Sequence, residues 1–214
     1  MKASVMVICA HSDDQIFGCG GTIAKYAREG SAIHTLIFSF GEGSHPWLLP
    51  RHTAEMRVKE AHQANALIGG KSLSFLGIKE GDFNEPAEQK RAKRYLAAQI
   101  REKKPAMIFT HSPSDPHPNH RSVYQLVLDV VDKARKPVDV YSFDVWNPVK
   151  IWERHNPRLV VDISGTFATK IKALRLFKSQ SLSFFFLAPS VFIGAIVNGL
   201  SNGCTYAEVF LKVR

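Results

Sequence analysis

The sequence predicts an α/β protein of Rossmann-like layout, with one mostly parallel sheet, helices on both faces and a single domain over residues 1–214. Three observations predict it. Short apolar, β-branched runs alternate with longer helical stretches along the chain. The 214 residues suit one domain able to bury a core without cross-links. The composition is ordinary for a globular chain, 45% apolar and 22% charged, with no low-complexity tract and no internal repeat.

The elements follow in order. "ASVMVICA" (3–10) is apolar without alternation, the mark of a buried parallel strand. A helix is expected over 15–28, with Ile23, Tyr26 and Ala27 on one face, then a strand over 32–38. "FGEGSHPWLLP" (40–50) is rich in breakers and reads as a loop. A helix over 51–68 ends at Gly69-Gly70, and a short strand covers 72–76. A basic helix over 86–103 precedes a strand at 106–110, a polar loop at 111–119 and a helix to about residue 133. Strands at 138–146 and 159–163, a helix over 166–178 and a closing strand at 206–213 complete the pattern.

The formal charge is +9. Basic residues gather at 90–94, 101–104 and 133–136, on or at the ends of expected helices, where solvated charge is the plain reading. A polyanionic partner is the other reading, but no nucleic-acid-binding motif accompanies the charge, so no nucleic acid is expected. Cys9, Cys19 and Cys204 are odd in number and irregularly spaced. They fit a reducing compartment, and with no signal-peptide layout at the start the expected location is cytoplasmic.

Ligands of open α/β sheets bind beyond the carboxyl ends of the strands. The two loops so placed carry the richest side chains in the sequence: His11, Asp13 and Asp14 in "CAHSDDQ", and His111, Asp115, His117 and His120 in "THSPSDPHPNH". Two histidines and a carboxylate with a fourth position open form the layout of a hydrolytic zinc site, and a further carboxylate can serve as general base. Each residue alone has a plainer reading: Asp13 or Asp14 as a helix cap, a lone histidine as a core residue. The acidic first loop argues against a phosphate cradle, and "GCGG" lacks the dinucleotide-binding spacing; Gly18, Gly20 and Gly21 are expected to let the helix pack closely on the sheet.

"AHSDDQ" resembles the A-H-P-D-D-E signature of the PIG-L/LmbE-like zinc-dependent N-deacetylases, and "DPHPNH" their later H-P-D-H signature. "FGEG", "RVKEAHQANALIG", "FLGIKEGDF", "VDISGTFATKIKALRLFKSQ" and "YAEVF" resemble further family segments in the family's order. The resemblance implies one Zn²⁺ per chain held by His11, Asp14 and His120, with other divalent metals acceptable to such a set. It implies Asp13 as general base, His117 as the group that steadies the oxyanion or protonates the leaving amine, and Arg57 as a substrate contact. The implied reaction removes the N-acetyl group from an N-acetylglucosamine-type sugar or its conjugate. A metal hydrolase of another amide or ester, such as a lipid-linked glycan, is the enzyme alternative; a basic Rossmann-like nucleotide or nucleic-acid binder is the non-enzyme one.

Three positions depart from the pattern. Ser12 replaces Pro and is expected only to relax the loop. Gln15 replaces Glu and removes a charge. Asn119 replaces Asp and deprives His117 of a carboxylate partner unless Asp115 substitutes for it. Residues 181–200 are apolar for about twenty positions, long enough for a membrane span. Pro189, Gly194, Asn198 and Gly199 argue against a span. Core burial is the expectation, with a subunit interface, or contact with a membrane or lipid-linked substrate, as alternatives, and the chain is expected to form a homo-oligomer.

Overall fold

The computed structural model describes residues 3–134, 138–146 and 157–214; part of the basic cluster at 133–136 lies outside the described residues. The strands are β1 (Ser4–Cys9), β2 (Ala32–Ile37), β3 (Ser72–Phe75), β4 (Met107–His111), β5 (Asp139–Phe143), β6 (Arg158–Asp162) and β7 (Ala207–Lys212). The helices are α1 (Asp14–Arg28), α2 (Pro50–Leu67), α3 (Pro86–Lys103), α4 (Pro118–Asp132), α5 (Phe167–Leu174) and α6 (Ser181–Ser201).

All seven strands form one sheet in the order β3-β2-β1-β4-β5-β7-β6. β1 to β5 pair in parallel, and β7 runs antiparallel to both its neighbours. The expected mostly parallel α/β fold is therefore the observed one. The insertion of β7 between β5 and β6 was not legible in the sequence. Alternate residues of β1 serve opposite faces, as the two-residue period of a strand requires. Val5, Val7 and Cys9 pack with α1, α2, α5 and α6, while Met6, Ile8 and Ala10 pack with α3 and α4.

The chain leaves β1 for β2 and β3 on one side, then crosses to β4 on the other. This reversal opens a crevice at the carboxyl ends of β1 and β4, the usual ligand position in open α/β sheets. The loops carrying the clustered His and Asp residues meet there.

α1 is kinked at Cys19, whose φ of −141° and ψ of 19° are not helical. The kink leaves helix N–H groups without their usual partners, and the Glu208 carboxylate of β7 accepts from Gly21 N (3.1 Å) and Thr22 N (2.7 Å). Lys170 Nζ then donates to Glu208 Oε1 (2.6 Å) and to the Phe17 carbonyl (2.7 Å), with both side chains buried. The close approach expected of the glycines is present: a Cβ on Gly18 would overlap the Phe143 ring, and one on Gly21 would stand 2.7 Å from Ile163 Cδ1.

The expected core burial of residues 181–200 is overturned. α6 buries Leu187, Ala195 and Gly199 and turns a row of large apolar side chains outward. The physical reason is that α1 and α5 already cover this face of the sheet, so α6 packs mainly along β7. Pro189 lies inside the helix without ending it. Among the described residues α6 with its preceding turn is the one helix long and apolar enough to cross a membrane.

The buried pair gives a stability prediction. Lys170→Met leaves the Glu208 carboxylate buried without its cation, which costs about 3–5 kcal/mol. Urea unfolding of the two proteins measures it; a change below about 1 kcal/mol would show that the pair contributes little.

Candidate metal and catalytic site

Both site loops end a parallel strand and start a helix. In the first, Asp13 is the N-cap residue of α1 and Asp14 its first helical residue, a position where the helix dipole favours a carboxylate. Asp14 Oδ2 accepts from the His11 backbone N–H at 2.7 Å, which closes the loop on itself. In the second loop, Pro118 occupies the first turn of α4 and His117 is its N-cap, with Nδ1 accepting from Asn119 N at 3.2 Å. That cap projects His120 from the first turn of α4 toward β1.

Three ligand-type atoms converge as a result. His11 Nδ1, Asp14 Oδ2 and His120 Nε2 are separated by 3.4, 3.3 and 3.4 Å around a triangle, and all three residues are buried. Ligands at the corners of a tetrahedron with bonds of about 2.0–2.1 Å stand about 3.3–3.4 Å apart. The donor set and its spacing fit a divalent ion such as zinc. His111, Asp115 and His120 form a second close group, but its members have other work. His111 Nε2 accepts from Ala10 N (3.0 Å), and Asp115 accepts from the backbone N–H groups of His117 (3.0 Å) and Val145 (3.1 Å).

Each imidazole of the triangle has a carboxylate on its other nitrogen. Glu80 Oε1 lies 3.3 Å from His11 Nε2, and Asp115 Oδ1 lies 3.0 Å from His120 Nδ1. Such outer partners fix ring orientation and raise ligand basicity. Burial opposes charge on both rings, yet Asp14 and Glu80 hold His11 up at about 9, and Asp14 and Asp115 hold His120 up at about 10. Burial also pushes Asp14 up, but the surrounding imidazoles outweigh it and keep its carboxyl well below the usual range. The surrounding carboxylates thus favour positive charge in the cluster.

The structure refines several sequence expectations. Arg57 is buried, and its guanidinium bonds Asp13 Oδ1 (3.1 Å), Ser12 Oγ (3.1 Å) and the Gly41 carbonyl (3.4 Å). It borders the cavity with these bonds already made. Ser12 therefore supplies an acceptor that Pro lacks. Gln15 Nε2 donates to the Ser12 carbonyl (2.8 Å), a bond that Glu in ionised form cannot make. Asp13 is raised by burial despite the opposing Arg57 charge.

Asp115 does not replace the missing carboxylate beside the His117 ring, because its own oxygens are committed to His120 and to backbone N–H groups. Burial and the charges of His11 and His120 lower His117. Asn119 instead donates from Nδ2 to Glu80 Oε2 at 2.9 Å. Glu80 is the residue the sequence reading missed. It stands in "FLGIKEGDF", one of the segments that resemble the family, a signal that was present, with Asp82 two residues on, but with no histidine beside it to mark a ligand loop.

A cavity of about 330 Å³ opens over the cluster, within the range of small-molecule sites. His11, Asp13, Asp14, Arg57, Glu80 and His117 line its floor, while Trp146 and Leu187 contribute apolar wall.

Fold and site together define a Rossmann-like protein with a buried His/Asp/His cluster under a substrate-sized cavity at the topological switch point. Residues 6–131 match the family described as PIG-L, GlcNAc-PI de-N-acetylase, and the chain belongs to that family. It is 30% identical over 200 residues to the 4-oxalmesaconate hydratase of Pseudomonas putida, covering 84% of this chain and 74% of that protein. It is 27% identical over 191 residues to the diacetylchitobiose deacetylase of Thermococcus kodakarensis, covering 82% and 69%. In fold it resembles the N,N'-diacetylchitobiose deacetylase of Pyrococcus horikoshii, with a TM-score of 0.83, 23% identity, and coverage of 99% of this chain and 84% of that one.

Two measurements check the cluster. Ligands must shed their protons to bind a metal. With His11 and His120 held at about 9 and 10, zinc binding at pH 7 should release about two protons, and affinity should rise with pH toward those values. Calorimetry in buffers of different ionisation enthalpy counts them; release of none would contradict the charge state described. Glu80→Gln should weaken zinc binding by about 10–100-fold without unfolding the protein. An unchanged zinc affinity would remove Glu80 from the supporting shell.

Proposed function

We propose that this chain is a metal-dependent N-deacetylase of an N-acetylglucosamine-type sugar or its conjugate. The observation that carries the reading is the His11, Asp14, His120 triangle with Asp13 unligated beside it on the cavity floor. His11, Asp14 and His120 would hold the ion, zinc by donor type. Such an ion polarises a carbonyl and brings the pKa of bound water to about 7.

The rest of the work falls to side chains. Asp13 is the general base, and its Oδ1 is anchored by Arg57, which orients the carboxylate over the cavity. His117 accepts at Nδ1 from the Asn119 backbone, so its neutral ring carries the proton on Nε2. From there it can donate a hydrogen bond to the carbonyl oxygen as negative charge develops, whereas protonating the departing amine requires the imidazolium form. Lowered His117 suits the first role, in which a neutral donor suffices.

The relative at 30% identity is a hydratase, which keeps a second reading in view, the addition of water to an unsaturated carboxylate. The diacetylchitobiose deacetylase at 27% identity supports the sugar. The cavity floor holds Asp13, Asp14 and Glu80, and Arg57, the fixed cation bordering it, is engaged by Asp13. A bound ion would add two positive charges beside these groups, so charge does not separate a carboxylate-bearing substrate from a neutral acetamido sugar, and the assay decides between them.

The test is acetate release from N-acetylglucosamine, diacetylchitobiose and N-acetylglucosaminyl-inositol, with and without chelator. Chelator-sensitive acetate release is the expected result. Water addition to an unsaturated carboxylate without acetate release from any sugar would establish the hydratase reading instead. Asp13→Asn should keep its zinc and lose about 10²–10⁴-fold in rate, whereas His120→Ala should lose zinc and activity together. Loss of zinc from Asp13→Asn would reassign Asp13 from base to ligand.

A further inference from the structure

We propose that the outer face of α6, with the basic turn before it, docks on an anionic lipid bilayer. The proposal is independent of the reaction assigned to the site. Leu182, Phe185, Phe186, Ile193, Val197 and Leu200 recur at helical spacing, and they are 69%, 72%, 64%, 61%, 54% and 73% exposed. This is a continuous apolar stripe along a helix of 21 residues, of the kind soluble surfaces seldom carry without a partner.

The opposite face of the same helix is fixed to the protein. A Cβ on Gly199 would meet the Thr205 carbonyl oxygen at 2.5 Å, so helix and chain touch backbone to backbone there. Leu187 and Ala195 join the main core cluster. The helix thus lies along the fold with its free face outward, the posture of a helix resting in a membrane interface.

Charge selects the occupant. The 45 residues between Asp162 and Glu208 contain no acidic side chain. Lys172, Arg175 and Lys178 are exposed at three-residue spacing in the segment that leads into α6. Basic residues beside an apolar helix are drawn to anionic headgroups. A second copy meeting this face with its own would bring no acidic counterpart to those cations.

A second apolar element sits nearby. Trp47 and Leu49 are each 77% exposed on the loop that follows Ser44. Gln180, the residue before α6, reaches Ser44 Oγ at 3.4 Å. Ser44, Gln180 and Leu187 all border the cavity over the His/Asp cluster. The turn at Ser44 and the start of α6 therefore meet at the cavity's border, and docking through the apolar residues that follow them would bring the cavity toward the bilayer surface.

The experiment is co-sedimentation of the full chain with phosphatidylcholine vesicles, with and without phosphatidylglycerol, at low and high salt. Binding should require or be strongly increased by phosphatidylglycerol, and should weaken at high salt as the headgroup attraction is screened. Phe185→Ser/Phe186→Ser should reduce vesicle binding by roughly tenfold or more while leaving unfolding unchanged, because both side chains are already exposed. Lys172→Glu/Arg175→Glu/Lys178→Glu should remove the preference for anionic vesicles. Absence of vesicle binding overturns the proposal, as does binding that neither set of substitutions alters. A dimer by light scattering that the Phe185/Phe186 variant dissociates, with no vesicle binding, would assign the face to a second copy instead.

Discussion

The Asp14 carboxylate, buried among His11, His111 and His120 at 3.2–3.4 Å, is the contact on which the site depends. It joins two loops far apart in sequence across the crevice between β1 and β4. A carboxylate in that position is costly to bury alone. Its cost is offset by the α1 N-terminus, by the His11 backbone N–H and by the His11 and His120 imidazoles, each of which is itself backed by a further carboxylate. Glu80, Asp115 and Asn119 extend this network outward, so the geometry of three atoms is set by residues drawn from three separate segments of the chain.

The same helix that presents Asp14 would be a poor platform if its kink were unsupported. Cys19 breaks the helical ladder five residues after Asp14, and the freed backbone groups are taken up by Glu208 and Lys170 from β7 and α5. The antiparallel insertion of β7 between β5 and β6 is what brings Glu208 under α1. Gly18 and Gly21 allow the approach because any side chain there would enter space held by Phe143 and Ile163. The carboxyl-terminal part of the chain thus stabilises the helix that carries the amino-terminal half of the site.

α6 serves two surroundings at once. Its inner face completes the core beside β7, while Ser183 and Leu187 border the cavity. Its outer face carries apolar side chains whose burial within this chain is prevented by the helices already covering the sheet. A helix apolar all round normally implies burial on all sides; here one side is closed by protein and the other is open.

Sequence alone determined the alternation of strands and helices, the two loops that carry the ligands and the family resemblance, because each is written in local periodicity or in a short run of residues. It placed His11, Asp13, Asp14, His117 and His120 near one crevice through the strand-end rule, and the family resemblance added Arg57. Tertiary structure decided the partners. That Arg57 engages Asp13, that Ser12 accepts from Arg57, that Glu80 backs His11 and that Asn119 turns to Glu80 are contacts between segments whose spacing in sequence carries no trace of their distance in space. The exposure of α6 was likewise undecidable from its composition. Apolarity states only that a surface avoids water, and which surfaces remain available to cover it is set by the packing of every other element.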